Sequence, residues 1–582
     1  MTSISALLRT AFVLCPLSVT VAAQAATPLT IPRASITAPE LGIIIASGDP
    51  VSEAIGAYYQ QARGIPPENV VRINLATGGE EISSATFAAL KAQVDQQLPA
   101  NVQATLLTWT RPFGVRGNCR MSITSAFAFG YDDKYCIVQP RLGTASSAYF
   151  NTRSTTPWND FGIRPSMMLG ATSLTAAQTL ITRGKASDAT YPTGTGYLVR
   201  TTDSARSVRW QDLQTLPAAW NIPGGLAMNY VDASTGAVPN YITDKQGVLF
   251  YFTGLTTVPD INTNTYVPGA VGDHLTSFGG VLANGSGQMM STAWLDAGMT
   301  GSYGTVEEPY AITAKFPQAS VMVDNYFRGA TLIEAYWKSV AWPGEGLFVG
   351  EPLARPFADQ PLSTIENGNY LIQTRQLRVG EYAVEYREGA SEPWISWARL
   401  NVTQPGMVTL QPPVVPASAL ETRIAGPCAA PDFGFVNDTE SVAGNLAQTV
   451  YFQVQVGNHG ACIETVNLTV APHDASPNLG MQASLSTTTI TLQPNASATA
   501  MLTVSVPANT GANGAVSRAF DVTVSRAVDR GPGQLATATV NVLASGNSAP
   551  ATAGDAPLPI WSILLLGTAL AGSALRSANG AK

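Results

Sequence analysis

Apolar positions along this 582-residue chain follow two different periods, and the change between them falls near residue 360. From residue 41 to 357 short apolar runs alternate with stretches of helical spacing. "LGIIIA" at 41–46 is an unbroken apolar run, the pattern of a strand covered on both faces. "PVSEAIGAYYQQARGI" then sets Ile55, Tyr58, Tyr59 and Ala62 on one helical face, and Gly64 and Pro66 stop it. The theme repeats in the "SATFAALKAQVDQQL" helix and "QATLLTW" strand, in "LTAAQTLITRGK" and "GYLVRT", and in "ARSVRWQDLQTL", "GLAMNYV" and "KQGVLFYFTG". Such alternation predicts an α/β domain over residues 40–358, a parallel sheet flanked by helices. Ligands of these sheets bind beyond the carboxyl ends of the strands, so "TWTRPFGVRGNC", "YFTGLTTVP" and "GSYGTVEEP" are the loops that matter.

After residue 360 the helical period disappears. "NYLIQTRQLRVGEYAVEYREG" and "WISWARLNV" alternate as antiparallel strands do, which predicts a small β module over 362–415. A Thr- and Val-rich run with "TVYFQVQV", "TVNLTV", "ATAMLTVSV" and "AFDVTVS" predicts an immunoglobulin-like β-sandwich over 425–545. Modules of this kind serve as spacers or as adhesive surfaces.

Charged residues make up only 12% of the chain, against 52 glycines and 39 prolines, a turn-rich composition typical of exported proteins. The net charge of -7, with no basic cluster, argues against nucleic acid as a partner. At the N-terminus Arg9, an apolar stretch and Ala23-Gln24-Ala25 fit a signal peptide over 1–25, which would remove Cys15. The remaining cysteines fall as two local pairs, Cys119 with Cys136 and Cys428 with Cys462, suited to two disulfides in an oxidising compartment; four buried thiols are the alternative. At the other end a Pro/Ala/Gly linker over 546–558 precedes an apolar segment over 559–576, with Trp561 and Arg576 as interfacial anchors. Its apolar run of about 16 residues is short beside the roughly 17–25 that span a bilayer. The Pro-Leu-Pro-Ile-Trp motif, apolar span and basic end resemble the PEP-CTERM-type sorting signals of Gram-negative bacteria. That resemblance implies a cell-envelope or surface location, with the tail holding the membrane or being removed during sorting.

Candidate chemistry gathers at "PGAVGDHLTSFGG", residues 268–280. Gly272-Asp273 reads as a helix start with Asp273 capping it, which would set His274 and Ser277 on one helical face as a base and nucleophile. A histidine simply hydrogen-bonded at a packed helix start is the plainer reading, since no G-x-S-x-G elbow surrounds Ser277. Asp132, Asp133, Asp273, Glu307 and Glu308 lie near loop ends and offer oxygen ligands, but in no calcium-loop spacing, so no metal is assigned. Arg111 and Arg116 stand where they could clamp an anion. No GxGxxG or Walker fingerprint is present, and no cofactor is expected.

Two further resemblances rest on longer stretches. "ASGDPVSEAIGAYYQQARGIPPENVVRI", "CRMSITSAFAFGYDDKYC", "PGAVGDHLTSFGG", "WLDAGMTGSYGTVEEP" and "AYWKSVAWPGEGLFVGEPLARPF" resemble a family of exported bacterial proteins with no assigned activity, over about residues 40–357. The order of "WLDAGMTGSYGTVEEP", the helix "SVMVDNYFRGATLIEAYWKS" and "GLFVGEPLA" is similar to the end of caspase-like and gingipain-like cysteine peptidases. That resemblance implies a caspase-like fold and puts the family's histidine at Thr253-Gly254 and its cysteine near Ser277, so neither catalytic residue is present. Thr253, with Arg111, Arg116, Glu307 and Glu308, therefore enters as a binding candidate. The chain is expected to be an exported, surface-sorted protein whose caspase-like domain binds an envelope or extracellular polysaccharide or protein. A hydrolase using His274 with Asp273 or Ser277 is the alternative.

Overall fold

The computed structural model describes residues 27–136, 145–283, 286–359, 362–392, 394–425, 433–435, 439–445, 447–459, 464–473, 479–492, 496–508, 516–526 and 536–545. The expected signal peptide at 1–25, Cys428 and Cys462, the linker at 546–558 and the apolar segment at 559–576 lie outside these residues. Among the described residues no helix is long and apolar enough to cross a membrane.

In chain order the first module comprises β1 (Leu41–Ala46), α1 (Pro50–Arg63), β2 (Val70–Ile73), β3 (Glu81–Ser83), α2 (Ser84–Gln97), β4 (Ala104–Leu107), β5 (Gly114–Arg116), β6 (Arg120–Ser122), α3 (Ile123–Phe129), α4 (Pro157–Phe161) and β7 (Ser166–Met168). It continues with α5 (Leu174–Ser187), β8 (Thr195–Arg200), α6 (Trp210–Trp220), β9 (Ala227–Asp232), β10 (Val248–Thr253), β11 (Tyr266–His274), α7 (Thr292–Ala297), β12 (Gly301–Thr305), α8 (Ala319–Phe327), α9 (Leu332–Ser339) and β13 (Gly346–Gly350). The first units form for the reasons the pattern suggested. Every residue of β1 is buried, and a fully buried isoleucine contributes roughly 1.5–3 kcal/mol. Asp49 caps α1 by accepting from the amides of Val51 and Ser52, Pro50 opens it, and Gly64 closes it at φ 65°.

Ten strands make one sheet in the order β2-β1-β4-β7-β13-β12-β11-β10-β8-β9. β2, β1, β4 and β7 pair in parallel, and so do β12, β11, β10, β8 and β9. β12 and β13 pair antiparallel, so the sheet is mixed where strand–helix alternation predicted a parallel one. The reason lies in the connection: a single helix returns the chain to the same end of the sheet, whereas α8 and α9 together send β13 back from the other. The loops after β4, β11 and β12 meet at one edge, where Arg111 Nε donates to Leu282 O at 2.9 Å and Arg120 Nη1 to Val306 O at 3.0 Å.

The small β module holds β14 (Leu362–Glu366), β15 (Asn369–Thr374), β16 (Gly380–Arg387), β17 (Ile395–Val402), β18 (Val408–Leu410) and β19 (Glu421–Ala425). Two three-stranded sheets, β14-β15-β18 and β17-β16-β19, share a core containing Tyr370, Ile372, Val384, Leu400 and Ile424. The module extends past the predicted limit at 415, because β19 pairs with β16. It also recruits residues from before the α/β domain. Leu29 is buried in its core, Ile424 N donates to Thr30 O at 3.1 Å, and Tyr370 OH donates to Thr27 O at 2.6 Å.

The last module contains β20 (Phe433–Phe435), β21 (Thr439–Asn445), β22 (Thr449–Asn458), β23 (Glu464–Pro472), β24 (Gln482–Leu485), β25 (Thr489–Leu492), β26 (Ser497–Ser505), β27 (Val516–Arg526) and β28 (Ala536–Ser545). Its sheets, β20-β22-β26-β24 and β21-β28-β27-β23-β25, enclose one core. Phe452, Val454 and Leu502 from the first sheet pack there with Leu468, Val522 and Val524 from the second, the arrangement of a β-sandwich.

Candidate functional site

β10 and β11 end side by side, with Thr253 and His274 as register partners across the parallel pair. The helix expected to start at Gly272-Asp273 does not form. Ala270, Val271 and Gly272 are buried, and pairing with β10 holds the chain extended through His274, so strand contacts override the local capping signal. Alternate strand residues point to opposite faces, and Asp273 and His274 therefore part company.

Asp273 turns to the side of α6. Its Oδ1 accepts from Arg209 Nη2 at 2.5 Å, and the same guanidinium donates to Thr253 O at 2.9 Å and Pro317 O at 3.0 Å. Asp273 is 1% and Arg209 4% exposed, so the pair is desolvated. Burial pushes the Asp273 carboxyl above its usual range, and the Arg209 charge works against that rise. Asp273 Oδ2 and Thr253 Oγ1 have no hydrogen-bond partner among the described residues.

His274 turns to the side of α7 and is 1% exposed. Its Nδ1 accepts from Trp294 Nε1 at 3.0 Å, which leaves Nε2 to carry the proton and donate to Met289 O at 3.0 Å. Burial drives its pKa down to about 4; the Met289 bond opposes this, and the charges of Arg209 and Arg206 add to it. A general base works best with a pKa near the working pH and a free nitrogen. This imidazole has neither.

Ser277 and His274 are not brought together. The Ser277 carbonyl accepts from Thr305 Oγ1 at 2.9 Å, and both imidazole nitrogens are bonded elsewhere. The loop from Leu275 to Gly280 folds back on β12, where Gly280 N donates to Thr305 O at 2.9 Å. A Cβ at Gly280 would stand 2.6 Å from Gly304 O, so the glycine at 280 is explained by close backbone approach. Gln288 Oε1 ties the loop further, accepting from Thr276 Oγ1 at 2.7 Å and Phe278 N at 2.8 Å.

The remaining candidates are held in structural bonds. Arg111 Nε donates to Leu282 O, and Arg116 pairs with Glu81 at 3.1 Å and with Glu307 at 3.0 Å. The charge of Arg116 is thereby answered within the protein, in an exposed network of the kind worth about 0–1 kcal/mol per pair. Glu308 accepts from Tyr310 N at 3.0 Å, Asp132 pairs with Lys134, and Asp133 accepts from Asn118 Nδ2 at 2.7 Å. Asp273 lies buried away from all of them, and no group of three or more His, Cys, Asp or Glu side chains suited to a metal occurs among the described residues. Cys119 and Cys136 form a disulfide with Cα atoms 6.0 Å apart, packed with Met121, Phe129, Tyr131 and Tyr135.

Reading the sequence missed Arg209, Trp294, Met289 and Gln288. Arg209 and Asp273 are 64 residues apart, and Trp294 and His274 are 20 apart with a strand end and a loop between them. The one available signal is Arg209 itself, a charged residue at the start of an amphipathic helix segment, where solvent exposure is the usual outcome.

No protein-family model matches the chain, and a search of curated proteins returns no match. Solved structures match over about a fifth of it. The ASH/PapD-like domain 7 of human CEP192 is 13% identical over 21% of this chain and 88% of that one, with a TM-score of 0.16. The class 5 fimbriae chaperone CfaA is 12% identical over 20% of this chain and 57% of that one, at 0.15. The N-terminal domain of PorA is 12% identical over 19% and 92%, at 0.15. Likeness at this level assigns no activity to the chain.

Proposed function

We propose that the α/β domain is a caspase-like scaffold that has no peptidase chemistry and serves binding in the cell envelope or at the cell surface. The observation that carries this reading is the saturation of His274: a 1% exposed imidazole with a partner on each nitrogen and a pKa near 4 cannot shuttle protons at neutral pH. Thr253, where the peptidase resemblance puts a histidine, is equally buried and carries no thiolate or imidazole partner. The Cys119–Cys136 disulfide supports export to an oxidising compartment, and the β-sandwich supports a role in presentation or assembly.

Activity and folding separate the readings. The intact chain and a His274→Gln variant are assayed against peptide and ester libraries, with thermal melts alongside. Binding without turnover predicts no hydrolysis from either protein and a lowered melting temperature in the variant. Turnover by the wild type that vanishes in a variant of unchanged stability would establish the hydrolase instead.

A further inference from the structure

A cavity of about 280 Å³ opens where α8, α9, the small β module and the β-sandwich come together. That is room for roughly nine waters at about 30 Å³ each, enough for a ligand about the size of a single sugar. Apart from Tyr382, its titratable lining is one-sided: Arg33, Arg153, Arg328, Lys338, Arg378 and His459, with no carboxylate among the described lining residues.

The carboxylates behind this wall are already committed. Asp324 binds Arg328 at 2.7 Å and Arg378 at 3.0 Å. Glu334 accepts from Thr331 Oγ1 at 2.6 Å, Thr331 N at 3.0 Å and Ile36 N at 3.1 Å. Glu40 holds Arg33 at 2.6 Å. Arg153 and Arg378 also engage partners of their own, so the open bonding capacity lies with two other residues.

Lys338 is the first. It is 2% exposed, and its ammonium lies 5.2 Å over the Tyr149 ring with no hydrogen-bond or ion-pair partner among the described residues. A buried ammonium without a direct ion-pair partner is costly. Burial pushes its pKa down to about 8, with Glu334 opposing the descent and Arg378 adding to it, so the group is still mostly protonated at neutral pH. Gln376 is the second: its side chain lines the same cavity, and its buried Oε1 accepts no hydrogen bond from any described residue. A buried ammonium that needs an anion and a buried amide oxygen that needs a donor thus belong to two residues lining one space.

The geometry points to this cavity as a binding site for a small hydroxyl-bearing oxyanion, its phosphate or carboxylate group on Lys338 and the neighbouring guanidinium groups, its hydroxyl on Gln376. Nothing in the His274 region is needed for it, so it stands or falls separately from the reading above.

Calorimetric titration of the intact chain with inorganic phosphate, glycerol phosphate and glucuronate tests it. One-to-one binding of at least one of these is expected, weakened roughly tenfold or more by Lys338→Met and by Gln376→Glu, which adds a negative charge to the cavity wall beside the anion. Equal binding of phosphate and glycerol phosphate would assign the site to the free group. Tighter binding of glycerol phosphate or glucuronate would assign it to a group carried on a polyol or sugar. The site is overturned if the folded wild type binds none of them, or if the variants bind as the wild type does. Should Lys338→Met fail to fold, Gln376→Glu decides the matter alone.

Discussion

Trp294 Nε1 donates to His274 Nδ1 at 3.0 Å, and this bond sets the state of the only histidine in the α/β domain. An indole N–H can only donate, so Nδ1 must accept and the imidazole proton must sit on Nε2, against Met289 O. A tryptophan on a short helix thus locks the tautomer at a strand end and uses up both nitrogens. Chemistry at His274 would require breaking a buried bond first.

Trp294→Phe keeps most of the packed ring against Tyr251 but removes the donor. The buried Nδ1 is then left unsatisfied, at a cost of about 1–3 kcal/mol in unfolding free energy. Nitrogen-15 spectra of the imidazole should change from a single Nε2-H tautomer to a mixture. Identical spectra in the variant would show that Trp294 does not set the tautomer.

His274 also gives a pH signature. Its folded pKa is near 4 and its ordinary value is 6.5, so between those limits the unfolded chain binds the extra proton and stability rises with pH. Acidification from pH 6.5 to 4 should therefore remove about 3 kcal/mol through this residue. Asp273, with its carboxyl pKa raised by burial, acts with the opposite sign in the acid range. Comparing urea midpoints of wild type and His274→Gln across that window isolates the histidine, and parallel curves would contradict its assigned pKa.

Arg209→Met strands the Asp273 carboxylate in a site 1% exposed. Loss of one partner of a buried pair costs about 3–5 kcal/mol, whereas replacing both with apolar groups is far milder. The double variant Arg209→Met/Asp273→Leu should recover most of the loss in a denaturant titration. Additive losses in the double variant would show that the two residues are not coupled.

The Cys119–Cys136 disulfide closes a loop with a sequence separation of 17. Loop-closure entropy for that length is worth about 3 kcal/mol. Cys119→Ser/Cys136→Ser should unfold at correspondingly lower denaturant, and reduction of the wild type should reproduce the shift. A reductant effect that persists in the double variant would have to come from other cysteines.

Much of the architecture was legible because it depends on local periodicity. "LGIIIA" has the pattern of a strand covered on both faces and is one, and α1 carries its own start and stop in Asp49, Pro50 and Gly64. The break near residue 360 and the alternation in "TVYFQVQV" likewise name the β modules directly, since a strand's two faces repeat every second residue. The disulfide between Cys119 and Cys136 was readable from proximity in the chain.

What tertiary structure decided is everything that joins distant residues. Residues 27–31 complete a module nearly 400 positions away because that module's core lacks a side chain that Leu29 supplies. Asp273 looked like a helix cap and became half of a buried ion pair, because pairing with β10 outweighed the capping preference of one residue. His274 read as a histidine hydrogen-bonded at a helix start, or as a base, and became a saturated strand end, because Trp294 and Met289 reach it from a helix and loop whose positions no local pattern encodes. Periodicity belongs to the backbone and can be read along the chain. The partners of a buried polar group belong to the packing, and only the folded chain supplies them.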